Sequence, residues 1–226
     1  MSLFRFFKGY KNFTIGFGIL SIIILLAFFY ALKNKQPLPI YNPAQFQNQL
    51  VDSSLQHKSK YHTIADFELI NQNGETITQV NYKDKIYVAD FFFTTCPSFC
   101  PAMTANMGTL QDYFLNDDDV MLLSHSVTPK IDSVPQLKKY ALEKGVIDQK
   151  WNLVTGNKKH IYELARKSYF AVKTTGNGDE YDMIHTENFV LIDKKRRIRG
   201  TYDGTKPEDI EQLIKDIENL KSFGGY

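Results

Sequence analysis

The chain has 226 residues, a formal net charge of +2, and 43% hydrophobic and 23% charged residues. This composition supports one domain of about 100–200 residues with an ordinary core and some additional segments. So small a net charge gives no indication of a nucleic-acid partner, and two cysteines are too few for a disulfide-rich scaffold or a four-thiolate metal site.

An uncharged stretch of twenty residues, 13–32, lies near the N-terminus. As a helix it spans about 30 Å, the thickness of a bilayer's hydrocarbon core, and no small-residue cleavage site follows it. Three basic residues precede the stretch and two follow it, so the positive-inside rule places the remainder outside the cytoplasm. The sequence therefore predicts a cytoplasmic N-terminus (1–12), a retained transmembrane helix (13–32) and a soluble domain in the periplasm or an equivalent extracytoplasmic space.

Residues 33–60 are polar, rich in Gln and Asn, and contain three prolines, which is typical of a flexible tether. Residues 61–226 form one predicted domain. Its predicted elements are a hairpin turning at residues 73–74, a buried strand (85–93), a helix (103–115), a strand (120–127), a helix (133–144), a strand (151–156), a helix (158–168), a hairpin (188–204) and an amphipathic helix (206–223). This alternation indicates an α/β sandwich with a central mixed β-sheet flanked by helices.

The two cysteines, Cys96 and Cys100, directly follow the first buried strand, at an edge where open α/β sheets place their ligand sites. Proline is favoured in the first turn of a helix, so we predict that the next helix begins at Pro101 with Cys100 as its cap. The helix dipole then favours the Cys100 thiolate. The loop can bend Cys96 towards Cys100 for either a disulfide or a shared metal ion.

Two thiolates without a nearby oxygen cluster suit a soft ion such as Cu(I), which then needs a third ligand. The candidates are the five histidines, His57, His62, His125, His160 and His185. His125 lies inside a predicted strand and is better explained as a core residue. His185 precedes a strong strand and can lie on a loop at an edge of the sheet. The residues alone rank His185 little above His125.

Three segments, "FFFTTCPSFCPAM", "SVTPKIDSVPQLKKYA" and "MIHTENFVLID", resemble the SCO/SenC family of membrane-anchored, thioredoxin-like copper proteins over about residues 64–221. The resemblance implies a thioredoxin-like sandwich that binds one copper ion, Cu(I) or Cu(II), through Cys96, Cys100 and His185. It also implies a chaperone that assists assembly of the CuA centre of cytochrome c oxidase or serves related copper and thiol tasks. We expect such a chaperone to require no catalytic turnover, because copper moves by ligand exchange. The implied partners are the oxidase subunit that carries CuA, or another copper protein, and a thiol reductant.

The acidic residues around the site depart in part from the family's pattern. Ser98 replaces an aspartate and Thr128 replaces the acid of a "VDP" stretch, whereas Asp132 matches a later aspartate. Since the copper ligands are intact, these departures concern metal affinity and partner choice more than the fold. Asp132 is therefore a candidate for supporting the site or relaying protons.

The alternative is an extracytoplasmic thiol–disulfide oxidoreductase that uses the Cys96/Cys100 pair. Asp90 lies six residues before Cys96, as in thioredoxin's "DFWA" segment, and a buried aspartate has a raised pKa and can relay protons. Asp90 is explained equally well as a hydrogen-bonded residue at a strand end. Against this alternative, dithiol enzymes have two residues between their cysteines, not three. The two functions can also coexist in one protein, because bound Cu(I) requires reduced thiols.

Two further hypotheses explain less of the sequence. Peroxidase chemistry at Cys96 needs a nearby arginine, and no arginine lies between Arg5 and Arg166. A purely structural disulfide explains the cysteine pair, but it explains neither the placement at a strand end nor a suitably placed histidine.

Overall fold

The computed structural model describes residues 11–31, 36–43, 62–172, 176 and 178–226. The chain divides into an N-terminal unit, Met1–Gln36, and a larger unit, Pro37–Tyr226. Most of the predicted cytoplasmic segment (1–12) and of the predicted tether (33–60), including His57, lies outside the described residues.

The N-terminal unit contains helix α1, Lys11–Ala31. Its large apolar side chains are strongly exposed; Phe13 and Leu25, for example, are 71% and 68% exposed. Within the described part of the chain, no helix was found with both the length and the apolar character that a membrane crossing needs. The predicted span also includes Leu32, which lies outside the described residues.

The described residues of the larger unit form a single seven-stranded sheet flanked by helices. The strands are β1 (Glu68–Asn71), β2 (Thr76–Thr78), β3 (Ile86–Phe92), β4 (Val120–Ser126), β5 (Trp151–Thr155), β6 (Asn188–Ile192) and β7 (Ile198–Asp203). The helices are α2 (Cys100–Tyr113), α3 (Val134–Lys144), α4 (Lys158–Glu163) and α5 (Pro207–Ser222). A short 3-10 turn, Gln79–Tyr82, precedes β3, and a π-helical turn, Leu164–Ser168, continues α4.

The sheet has the strand order β2-β1-β5-β4-β3-β6-β7. Strands β3, β4 and β5 are parallel, whereas β1 pairs antiparallel with β5, and β6 pairs antiparallel with β3. The predicted mixed sheet is therefore confirmed. Every residue of β3 is buried, as its continuous apolar run predicts, and one apolar cluster packs on each side of the sheet.

The helix after the cysteines begins at Cys100, three residues before the predicted element 103–115 and one residue before the start that the position of Pro101 predicts. Cys100 is its first residue and Phe99 its N-cap, and Pro101 lies in the first turn. Proline is accommodated there because the first N–H groups of a helix have no partner within the helix. The prediction that Cys100 is the cap is therefore wrong by one position. Ser133, in contrast, is the N-cap of α3, as predicted.

Residues 37–43 fall within the stretch for which a flexible tether is predicted, and in the structure residues 38–41 lie along β7. The Tyr41 N–H donates to the carbonyl of Ile198 over 2.9 Å. The guanidinium of Arg199 donates to the carbonyl of Pro39 over 3.0 Å and also to that of Leu38. This part of the chain therefore covers the outer edge of the sheet.

Candidate metal centre

Both cysteines lie just beyond the carboxyl end of β3. Cys96 lies on the loop 93–99, and Cys100 is the first residue of α2. The Cys96 N–H donates to the carbonyl of Phe93 over 3.3 Å, which closes a turn directly after the strand. Cys96 is 8% exposed and Cys100 is 1% exposed, and both are free thiols. The fold therefore places two thiols side by side, with Cys96 nearer to solvent.

A buried carboxylate fixes the start of the cysteine loop. Asp132 is fully buried and accepts hydrogen bonds from the Thr94 N–H over 3.2 Å and from the Thr94 hydroxyl over 2.5 Å. The hydroxyls of Ser126 and Thr128 donate to the same carboxylate over 2.6 Å and 3.0 Å. Asp132 thus ties the loop after β3 to the end of β4, and Thr128, which departs from the family's pattern, belongs to this network.

The two thiols differ in acidity. Burial raises the pKa of Cys96, but hydrogen bonds with the Cys100 side chain and with Ser98 outweigh it, so the pKa is below its ordinary value. Burial strongly raises the pKa of Cys100, and the neighbouring Cys96 thiol and the Asp90 charge raise it further. A backbone hydrogen bond with Phe93 lowers this pKa but does not offset the rise. The prediction that the helix dipole favours the Cys100 thiolate is therefore wrong. Burial and neighbouring negative charge outweigh the partial charge of a helix end.

Asp90 lies in β3 beneath the cysteines and is almost fully buried. Burial raises the pKa of Asp90 to about 7, against hydrogen bonds that lower it, mainly from Ser124. Its Oδ1 has no hydrogen-bond partner among the described residues. Asp90 is therefore a carboxyl group that exchanges a proton near neutral pH, close enough to Cys100 to influence its ionisation.

His125 is a core residue, as expected for a histidine inside a strand. Its ring stacks on Phe91 with 4.7 Å between ring centroids, and its Nδ1 lies 3.2 Å from the carbonyl oxygen of Asp90. The side chain is fully buried, and burial lowers the pKa of His125 to about 4. His125 is thus a neutral side chain, packed beneath the site and away from solvent.

His185 lies on the loop before β6, beside the cysteine loop. Its ring meets the rings of Phe93 and Phe99 edge-to-face, with centroids 5.6 Å and 5.9 Å apart. The cause is the antiparallel pairing of β6 with β3, in which Ala89 lies opposite Val190. The same register, continued past the strand ends, brings residues 93–94 opposite residues 185–186. The His185 side chain is exposed and lines a cavity of about 370 Å³.

The three predicted copper ligands therefore lie at the same edge of the sheet but do not form a closed site. No group of three His, Cys, Asp or Glu side chains in the described residues is close enough to hold a metal ion. The rings of Phe93 and Phe99, which sequence reasoning did not identify, pack against the imidazole. The available signal was their place in the sequence, since Phe93 ends the aromatic run 91–93 just before the cysteine loop and Phe99 directly precedes Cys100.

Ser98, the second departure from the family's pattern, also lies at the site. Its hydroxyl oxygen is 3.6 Å from the sulfur of Cys96. A hydroxyl at this position interacts with the Cys96 thiol without adding a negative charge beside it, and it contributes to the lowered pKa of Cys96.

Comparison with known proteins gives a consistent result. The family model described as SCO1/SenC matches residues 55–222. The "SCO1 protein homolog" of Bacillus subtilis is 31% identical over 164 residues, which cover 72% of this chain and 84% of that protein.

Two solved structures share the fold as well as the sequence likeness. A SCO1/SenC family lipoprotein from Bacillus anthracis is 32% identical with a TM-score of 0.63, over 73% of this chain and 98% of that one. BsSco, described as a member of the Sco family of cytochrome c oxidase assembly proteins with a disulfide switch, is 30% identical with a TM-score of 0.60, over 71% of this chain and 94% of that one. The mixed sheet with flanking helices is thus the thioredoxin-like fold of these proteins, and the chain belongs to the SCO1/SenC family.

Proposed function

We propose that this protein is a copper chaperone that binds one copper ion through Cys96, Cys100 and His185 and assists assembly of the CuA centre of cytochrome c oxidase. The observation that carries the proposal is the contact of the exposed imidazole of His185 with Phe93 and Phe99 of the loop that carries the two free thiols. Copper is the cargo of such a protein, and it leaves by ligand exchange with the target.

The donor set suits this cargo. Thiolates are soft ligands and imidazole is a common ligand of copper, so this donor set favours copper over magnesium or calcium, which prefer oxygen ligands. Cys96, with its lowered pKa and greater exposure, is the first sulfur available to an incoming ion. Cys100 must lose a proton on binding, and His185 must approach the sulfurs, since the three groups do not form a closed site.

Asp90 and Asp132 have different proposed roles. Asp90, with its pKa near 7 and an oxygen that has no partner among the described residues, accepts the proton that Cys100 loses when copper binds. Asp132 holds Thr94 through two hydrogen bonds and so keeps the cysteine loop in place, whether copper is bound or not.

The relatives support this choice of cargo and target. BsSco belongs to a family described as assembling cytochrome c oxidase. A SCO protein from Arabidopsis thaliana was solved with copper bound, and its likeness to this chain, at 24% identity and a TM-score of 0.54, is one of fold. We infer as partners the oxidase subunit that carries CuA, or another copper protein, and a thiol reductant that keeps Cys96 and Cys100 reduced.

We also propose that the N-terminal segment 13–32 attaches the domain to a membrane, with the domain on the extracytoplasmic side. The strongly exposed apolar side chains of α1 support this proposal, because a soluble protein rarely exposes so many together. The lipoprotein from Bacillus anthracis is a relative whose description implies attachment to a membrane.

The second candidate function is thiol–disulfide exchange by the same cysteine pair. A specific observation favours it: Cys96 has a lowered pKa while Cys100 is buried beside Asp90, an arrangement that suits an attacking and a resolving thiol. The disulfide switch described for BsSco supports the same reading. The peroxidase hypothesis gains no support, since the guanidinium of Arg166 binds Asp182.

Replacing either cysteine with alanine should abolish tight Cu(I) binding, measured by competition with a chromophoric chelator. His185→Ala should weaken binding at least about 100-fold, because loss of an outer partner of a ligand alone costs 10–100-fold, and it should change the Cu(II) absorption spectrum. His160→Ala, on α4, is the matched control and should change neither. If His125→Ala alters both properties while His185→Ala leaves them unchanged, the ligand assignment is wrong.

The two candidate functions differ in their need for copper. If copper delivery is the main activity, the reduced protein without copper should reduce a disulfide substrate slowly or only stoichiometrically, because three residues separate its cysteines. The test is to measure the rate of disulfide reduction with and without copper, together with the reduction potential of the dithiol. Rapid copper-free turnover that Cys96→Ser removes would favour the oxidoreductase.

Asp90 should make stability depend on pH. Its pKa is about 7 when folded and about 3.8 when unfolded, so the native state holds the proton more tightly and stability falls as pH rises between these values. Between pH 5 and pH 8 the loss should be about 2–3 kcal/mol. Urea unfolding of the reduced protein should show this loss, and Asp90→Asn should remove it; equal pH dependence in both proteins would contradict the assignment.

The anchoring proposal predicts where the protein is found after cell lysis. The full chain should remain in the membrane pellet after alkaline carbonate extraction, since apolar burial in the bilayer does not depend on charge. A chain that begins at Pro37, where the larger unit starts, should appear in the soluble fraction. Release of the full chain by carbonate would show that the segment is not an anchor.

A further inference from the structure

One face of α4 and of its π-helical continuation holds the segment that leads into His185. Lys158, Tyr162 and Arg166 are spaced four residues apart and lie on this face. All three bond to residues within 178–184. This role was not predicted from the sequence, although the four-residue spacing was visible within a predicted helix.

The strongest of these contacts is an ion pair between Arg166 and Asp182. The two guanidinium nitrogens donate to the two carboxylate oxygens over 2.6 Å and 2.7 Å, and each side chain is only 8% exposed. The Gly178 N–H donates to the same carboxylate over 2.7 Å. A planar bidentate pair of this kind fixes orientation as well as distance, and Asp182 lies three residues before His185.

The other two side chains hold the backbone of the same segment. The Lys158 ammonium donates to the carbonyls of Asp179 and Asp182, over 2.6 Å in each case. The Tyr162 hydroxyl donates to the carbonyl of Asp182 over 3.1 Å and accepts from the Ile184 N–H over 3.4 Å. The residue directly before His185 is therefore in contact with the helix.

The residues after His185 are held from a different direction. The Thr186 hydroxyl donates to the carbonyl of Ala171 over 2.5 Å, and the Asn188 side chain donates to the same carbonyl over 2.8 Å. Thr186 is buried, whereas His185 between these held neighbours is exposed. The backbone on both sides is thus restrained while the imidazole faces solvent beside the cysteine loop.

We propose that the Arg166–Asp182 ion pair is a positioning device for His185, which holds the histidine's backbone so that only the side chain has to turn towards copper. The inference rests on the proposed function, because it requires His185 to be a copper ligand. Restraining the loop in advance raises affinity, since less conformational freedom is lost on binding. A lysine cannot replace the arginine, because an ammonium does not form the bidentate pair.

The test is Arg166→Lys in the full chain, purified in detergent under reducing conditions. Cu(I) affinity, measured by chelator competition, should fall about 10-fold, the lower end of the range for loss of a residue that orients a ligand. The Cu(II) absorption spectrum should shift towards that of His185→Ala. Asp182→Glu, which keeps the carboxylate, should retain more affinity than Asp182→Asn.

Arg197→Lys is the matched control. Arg197 pairs with the buried carboxylate of Asp193 over 2.8 Å, in the turn between β6 and β7. The substitution also removes a guanidinium–carboxylate ion pair, here one in which Nε and Nη2 both bind the Oδ2 oxygen of Asp193, but it does not touch the loop that carries His185. It should therefore leave copper affinity and the spectrum unchanged, and urea unfolding of both variants measures any general loss of stability.

A double variant separates positioning from a general structural role. If Arg166 acts through His185, adding Arg166→Lys to His185→Ala should cause no further loss of copper affinity. A full additional loss, or wild-type copper binding by Arg166→Lys while His185→Ala is impaired, would overturn the inference and leave the proposed function intact. If His185→Ala itself binds copper normally, both the ligand assignment and the inference fail.

Discussion

The candidate site depends on the antiparallel pairing of β6 with β3. Because the two strands run in opposite directions, the loop that enters β6 lies beside the loop that leaves β3. This single pairing brings His185 next to Phe93 and Phe99, although 85 positions separate it from Cys100 (185 − 100). A parallel strand in the place of β6 would put the entering loop at the opposite edge of the sheet, where it could not reach the thiols.

The surroundings of the cysteine loop then give the two thiols unequal chemistry. Cys96 is near solvent and receives hydrogen bonds from its neighbours, whereas Cys100 is buried above Asp90. A thiol with a lowered pKa and greater exposure, beside a more deeply buried thiol with a raised pKa, suits the capture of a soft ion, and it equally suits attack on a disulfide. The same asymmetry therefore serves both candidate functions, and His185 is the element that only copper binding requires.

At this edge of the sheet the backbone of both loops is held by hydrogen bonds and ion pairs, whereas the His185 side chain is exposed. Asp132 holds the cysteine loop through Thr94, and Arg166 holds the histidine loop through Asp182. Ser98 and Thr128, the two departures from the family's pattern, leave this framework in place, since the Thr128 hydroxyl bonds to Asp132. A fixed backbone with a turning imidazole would allow copper to be held and released without rearrangement of the fold.

Local patterns in the sequence determined the elements, the mixed sheet and the position of the cysteines at the end of β3, because hydrophobic period and proline placement act over a few residues. Resemblance to known proteins, rather than spacing, ranked His185 above His125. Only the tertiary structure decided which thiol is acidic, because the pKa values of Cys96 and Cys100 depend on burial and on Asp90 beneath them. It alone also brought Arg166 to Asp182, since the face that a helix presents to a distant loop is set by packing across the whole sheet.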